Sequence, residues 1–134
     1  MRQVTMELID IGANLTHESF TDDYAQVIAA AKDASVSHII LTGTDLDTSI
    51  AAADYSSRSD GFHTSTAGFH PHVAKSMDAA GFAQIEEISQ RQGVVAIGET
   101  GLDYNRDFSP SADQLRAFEQ HLELAVARKL PMFL

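Results

Sequence analysis

Cysteine and tryptophan are absent from the 134 residues, and proline occurs only three times. Without a thiol the chain has no disulfide, no thiolate zinc site and no cysteine nucleophile, so any metal must be held by carboxylate, imidazole, amide or water. Cations are scarce too. Lysine and arginine number 9 against 19 aspartates and glutamates, a formal net charge of -10. That balance excludes a broad basic surface for duplex nucleic acid, whose binding is driven by lysine and arginine displacing counterions. It leaves open a phosphate ester handled through a divalent cation, because a bound ion inverts the local potential of an acidic cleft. No apolar run approaches the roughly 18 residues of a membrane span, and the opening "MRQVTMELIDIG" carries no long apolar leader segment. The reading is a cytoplasmic protein without a membrane partner, one domain over residues 1–134, its 44% hydrophobic and 21% charged content ordinary for a globular chain.

What is present is an alternation of two periodicities. "MELIDIG" (6–12) has the size of a buried strand, and "FTDDYAQVIAAAKDAS" (20–35) switches to helical spacing with Tyr24, Val27, Ile28 and Ala31 on one face and Ser19 or Thr21 as cap. "HIILTG" (38–43) predicts a second strand, and "DTSIAAADYSSR" (47–58) a helix opened by Thr44 or Asp45. "FHTSTAG" (62–68) predicts the third strand, "FAQIEEISQRQ" (82–92) the third helix and "VVAIGE" (94–99) the fourth strand. In the fourth helix Leu115, Phe118, Leu122, Ala125 and Val126 keep the i, i+3, i+4, i+7 spacing expected of a core-facing stripe, and "LPMFL" (130–134) begins a fifth strand. Strands alternating with helices predict parallel pairing through right-handed crossovers. On length alone, four such units and one extra strand suit a complete doubly wound sheet better than an eight-stranded barrel of typically about 250 residues.

In both architectures function gathers at the carboxyl ends of the strands, and the unusual residues of this chain lie there. Strand one ends at Asp10 with Gly12 and Asn14 beyond it, strand two at Thr42 to Asp45, strand three at "GFHPH" (68–72) and strand four at Glu99. Pro71 disfavours helical dihedrals at His70 and so restricts the direction of its imidazole, which suits ligation or catalysis; a plain hydrogen bond within the loop is the alternative for His70 and His72. A carboxylate where water is scarce must be neutralised, so Glu99 calls for a cation, either a metal ion or a side chain such as Arg106. Asp103, Asn105 and Asp107 follow as supporting or surface groups, and Arg106 as a phosphate clamp or a solvated cation. His17, His38, His63 and His121 have no chelating spacing and read as ordinary histidines, with His121 on a helix away from the strand tips. Gly98 and Gly101 lack the spacing of a dinucleotide fingerprint, and no serine sits in a nucleophile elbow.

The strings "DIGANLT", "TGT", "STAGFHPH", "VVAIGETGLDYNRDFS" and "LPMFL", in this order and spacing, resemble the first half of the TatD-type metal-dependent deoxyribonucleases from residue 9 to the end. The resemblance implies a fold different from the one length prefers: half of a TIM-type (β/α)8 barrel, with about four βα units and a fifth parallel strand. It implies a metal-dependent phosphodiester hydrolase acting on single-stranded DNA from the 3' end. Glu99 matches a metal ligand of the family and His70 a histidine lining its active site, so catalysis is assigned to these two, metal binding to Glu99 with Asp10 and Asn14, and substrate binding to His70, His72, Asp103 and Arg106. Gly12 and Asn14 stand where many members carry two histidines, and an oxygen-richer site favours Mg²⁺ or Mn²⁺ over Zn²⁺, with Mg²⁺ the expected ion. The family's later histidines and aspartate have no counterparts within 134 residues, so the chain alone is expected to be inactive and to associate through its open edges. The competing readings are a noncatalytic half-barrel module that assembles with itself or a missing half, and a related metal hydrolase acting on a small non-nucleic substrate.

Overall fold

The computed structural model describes residues 6–58 and 61–134; the "MRQVT" that begins the stretch read for a leader lies outside them. The elements are β1 (Leu8–Ala13), α1 (Tyr24–Asp33), β2 (Val36–Leu41), α2 (Leu46–Arg58), β3 (His63–Ala67), α3 (Ala79–Ile88), β4 (Val94–Gly98), α4 (Ser111–Arg128) and β5 (Met132–Phe133), with single 3-10 segments at Glu18–Phe20 and Pro71–Ser76. All neighbouring strands pair in parallel, and their order in the sheet is the order of the chain. This order decides the architecture. A doubly wound sheet reverses direction at a switch point, whereas a run of right-handed crossovers that never reverses carries every helix to the same face and curls the sheet into a barrel wall. The five strands are therefore half of a barrel, and the length argument for a complete doubly wound sheet is overturned.

Two apolar clusters pin helices to this wall. Around β3 and β4, Ala67, Ile97 and Val94 pack with Ala53 of α2, Ile85 and Ile88 of α3, and Leu124 of α4. Around β2, Ile39 and Leu41 pack with Leu15, Ala52 and Phe62, and the predicted face of α1, Tyr24, Val27, Ile28 and Ala31, leans on them. Asp45 caps α2 as expected, its Oδ1 accepting from Thr48 N at 2.8 Å. The cap expected of Ser19 or Thr21 is not made: α1 begins at Tyr24 behind Asp23, with no side-chain cap, because Ser19 is taken into the 3-10 turn at Glu18–Phe20.

Two further expectations are corrected. The strand around "LIDIG" is not buried, with Ile9 and Ile11 59% and 60% exposed, since no described element packs beyond this edge. On α4 the face turned to the sheet is Gln114, Ala117, His121, Leu124 and Ala125, while Leu115, Leu122 and Val126 of the predicted stripe are exposed. Both rows have helical spacing, and hydrogen bonds made by Gln114 and His121 turn the polar-containing row inward. Among the described residues no helix is long and apolar enough to cross a membrane.

Candidate active site

The carboxyl ends of β2, β3 and β4 are drawn together by main-chain bonds that reach across the sheet. Glu99 N donates to Gly43 O at 2.7 Å, and His70 N donates to Thr44 O at 2.8 Å. Gly43 N in turn donates to the buried hydroxyl of Thr66 at 3.1 Å. Glycine is required where β3 and β4 touch: a Cβ on Gly68 would fall 2.6 Å from Gly98 Cα, and Gly98 itself has φ of 138°. The two strand tips thus approach more closely than side chains would permit, and the residues that follow them, His70 and Glu99, meet.

His70 Nε2 lies 3.2 Å from Glu99 Oε1. The other ring nitrogen, Nδ1, accepts from His72 N at 3.1 Å, so the Nε2 proton of the neutral ring points at the carboxylate. Pro71 keeps His70 extended, with φ -62° and ψ 146°, and starts the 3-10 segment, as its restriction of the preceding residue predicts. Burial pushes the His70 imidazole below its ordinary 6.5, against the opposing pull of Glu99. Glu99 is 30% exposed at its side chain and opens on a cleft of about 590 Å³ bounded also by Thr100, Leu102, Arg106 and Phe118.

Arg106, the side chain considered as its partner, is engaged elsewhere. It binds Asp103, through Nη1 to Oδ2 at 3.0 Å and through its amide to Oδ1 at 3.0 Å. His72 Nε2 donates to the same Asp103 Oδ2 at 2.6 Å, with its ring set between those of His70 and Phe108 at 4.2 and 4.8 Å. The Arg106 amide and the His72 ring together hold the Asp103 carboxyl well below the usual carboxylate range. His72, Asp103 and Arg106 therefore form one connected group beside the His70–Glu99 pair, and the structure brings these five candidates to a single rim.

Asp10 and Asn14 lie on and just beyond β1, at the other end of the strand order from β4. Asp10 lies on the exposed β1, its Oδ1 accepting from Gly12 N at 3.1 Å, and among the described residues no three histidine, aspartate or glutamate side chains converge on a metal position. The donor chemistry still fits a hard divalent cation in kind. No described side chain bonds the second Glu99 oxygen, and the buried hydroxyl of neighbouring Thr100 has no partner among the described residues.

Three side chains that brace this rim by hydrogen bonds escaped the sequence. Gln114 Nε2 donates to Asp103 O and Ser109 O while Oε1 accepts from Asp103 N at 2.7 Å, which ties the loop after β4 to α4. Ser109 Oγ donates to His72 O at 2.9 Å and accepts from Lys75 N, which joins that loop to the segment after β3. His121, set aside as remote, is fully buried against the β3 tip and accepts from Phe69 N at 3.0 Å. Only a count of polar residues on the buried face of α4 would have signalled Gln114 and His121, and that face is not the one periodicity favours.

Comparison with known proteins gives the same answer from three directions. The family model "TatD related DNase" matches residues 9–134. A protein of Yersinia pseudotuberculosis serotype O:3 named "3'-5' ssDNA/RNA exonuclease TatD" is 46% identical over 127 residues, which are 95% of this chain and 49% of that protein. Its namesake from Pectobacterium carotovorum is 43% identical with the same coverage. Among solved structures, a TatD-family hydrolase of Entamoeba histolytica superposes with a TM-score of 0.85 at 28% identity, covering 98% of this chain and 50% of the other. The TatD homologue of Escherichia coli K12 gives 0.85 at 23%, covering 92% and 48%. The chain spans about half the length of the curated relatives it matches. With the sequential half barrel and the paired tips of β3 and β4, these matches establish that the chain belongs to the TatD family of related DNases.

Proposed function

We propose that the full-length protein is a divalent-metal-dependent nuclease that removes nucleotides from the 3' end of single-stranded DNA, and that this half barrel carries part of its active site. The observation that carries the reading is Glu99, a carboxylate at a strand tip that faces a cleft and the ring of His70, with no lysine or arginine paired to it among the described residues. Its relatives named as ssDNA/RNA exonucleases supply the substrate class.

In this reading Glu99 is one ligand of the cation, Mg²⁺ before Mn²⁺ or Zn²⁺, with Asp10 and Asn14 reaching it through water and the remaining ligands lying outside this half barrel. The ion, when bound, would supply charge stabilisation at the phosphoryl group and would lower the pKa of the attacking water so that hydroxide is available at neutral pH. The chain's own residues do the rest. His70 donates its Nε2 proton to one Glu99 oxygen, fixing the direction of the other and lining the cleft where the terminal phosphodiester enters. His72 and Asp103 hold Arg106 at the cleft wall, from which its planar guanidinium meets a neighbouring phosphate in two parallel hydrogen bonds. Phe108 and Tyr104 are exposed near this rim and offer faces on which unpaired bases stack without sequence preference. The protein works in the cytoplasm, and the isolated 134-residue chain self-associates through its open β1 edge, where the mass measured by size exclusion reads the association directly.

The test is release of labelled nucleotide from 3'-labelled single-stranded DNA in Mg²⁺. Full-length protein degrades it, chelator stops it, and Glu99→Gln lowers the rate by more than about 100-fold, beyond the range of losses typical of residues that only orient metal ligands. Activity kept by Glu99→Gln overturns the assignment of Glu99; activity kept in chelator overturns the metal.

A further inference from the structure

A histidine on α4 stands behind the β3 tip without reaching the cleft. His121 is 0% exposed, enclosed by Phe69 and Phe82, whose rings meet it edge-on at 6.4 and 5.4 Å. Its Nδ1 is 2.7 Å from Ala117 O, a carbonyl that can only accept, so the proton is on Nδ1. That leaves Nε2 as an acceptor, and the donor it faces is the amide of Phe69 at 3.0 Å. One neutral tautomer satisfies both partners.

Phe69 is the residue before His70, and its amide has no strand partner there because β3 has ended at Ala67. The next residues are each tied down in turn: His70 N to Thr44 O, His72 N to His70 Nδ1, His70 Nε2 to Glu99 Oε1. We propose that His121 is a positioning residue, whose Nε2 fixes the Phe69 peptide and thereby sets the direction in which the His70 imidazole meets Glu99. This rests on the proposed role of Glu99 and His70 and adds the group that aligns them. A helix seated against the sheet is thus made to register the strand tip by one hydrogen bond, where close packing alone tolerates small slips and a site of this kind does not.

The requirement is narrow: a donor toward Ala117 O and an acceptor toward Phe69 N from one side chain on the helix. Glutamine can meet both, and leucine of similar bulk meets neither. In full-length protein, His121→Leu is expected to lower kcat on single-stranded DNA about 10- to 100-fold with KM within twofold, the scale of lost orienting groups behind metal ligands, and His121→Gln to recover most of it. Thermal unfolding followed alongside separates folded variants from unfolded ones. Full kcat in a folded His121→Leu protein overturns the proposal, as does an equal loss in the Gln variant.

Imidazole ¹⁵N shifts of the unaltered protein supply a readout independent of activity and of variant folding. They are expected to show His121 protonated at Nδ1 and bare at Nε2, with the Phe69 amide slow to exchange; a proton on Nε2 overturns the proposal. Should the unaltered protein fail to cleave DNA, the nuclease reading falls while these shifts still decide the state of His121.

Discussion

β1 and β4 are both short apolar strands of a parallel sheet, yet they have opposite fates. Every residue of β4 but one is buried, with Ile97 at 0% exposure and packed between strands and α4, whereas no residue of β1 is buried. Apolar composition is the same in kind at the two places; what differs is the number of layers around them. β4 has neighbours on both edges, whereas β1 has one neighbour, β2, and nothing described beyond. The site candidates divide along the same line. His70, Glu99, His72, Asp103 and Arg106 sit where neighbouring strands and α4 fix their backbone, while Asp10 and Asn14 belong to the open end. The hydrogen bonds that join these five side chains are thus made where the wall is flanked.

Attacking the core at both ends should give the largest contrast. Ile97→Ala is expected to cost about 2–5 kcal/mol in urea unfolding, and Ile11→Ala under about 0.5 kcal/mol, because only the first opens a cavity. Equal costs would mean that β1 is covered. Gly68→Ala comes next at about 1–3 kcal/mol, since its Cβ would fall 2.6 Å from the Gly98 backbone and force the two tips apart. The same variant should disturb His70 and Glu99 together, seen as coupled shifts in their NMR signals.

The smallest effect is that of pH. His70 and His121 are both held below their ordinary 6.5, chiefly by burial, and in the unfolded chain both return to it. Above 6.5 both are neutral in either state and their contribution is complete. As pH falls below 6.5 the unfolded chain takes up protons first, and stability declines until the folded values are passed. The urea midpoint should fall between pH 7 and 5, by less in a His121→Gln variant.

Much of this was legible because it depends on local pattern. Alternating periodicities locate the five strands and four α-helices of the described residues, and the strand ends mark His70 and Glu99. Length misled about architecture, because sheet order is a long-range property that no window of sequence contains; the recurring strings of a family corrected it. Which stripe of α4 turns inward was illegible for a related reason. Leu115, Leu122 and Val126 have the better apolar periodicity, but Gln114 and His121 satisfy backbone groups of Asp103, Ser109 and Phe69 that are distant in sequence. That Asp103 binds His72 as well as Arg106 likewise follows from two loops being stitched together by Ser109.

Binding of the cation to the full-length protein is the most direct test of the account, since it requires neither substrate nor turnover. In a Mn²⁺ titration followed by electron paramagnetic resonance, the unaltered protein should remove free ion from solution, and Glu99→Gln should weaken that uptake by at least about 10-fold while remaining folded. Undiminished uptake by the folded variant would contradict the placement of the metal at the tip of β4.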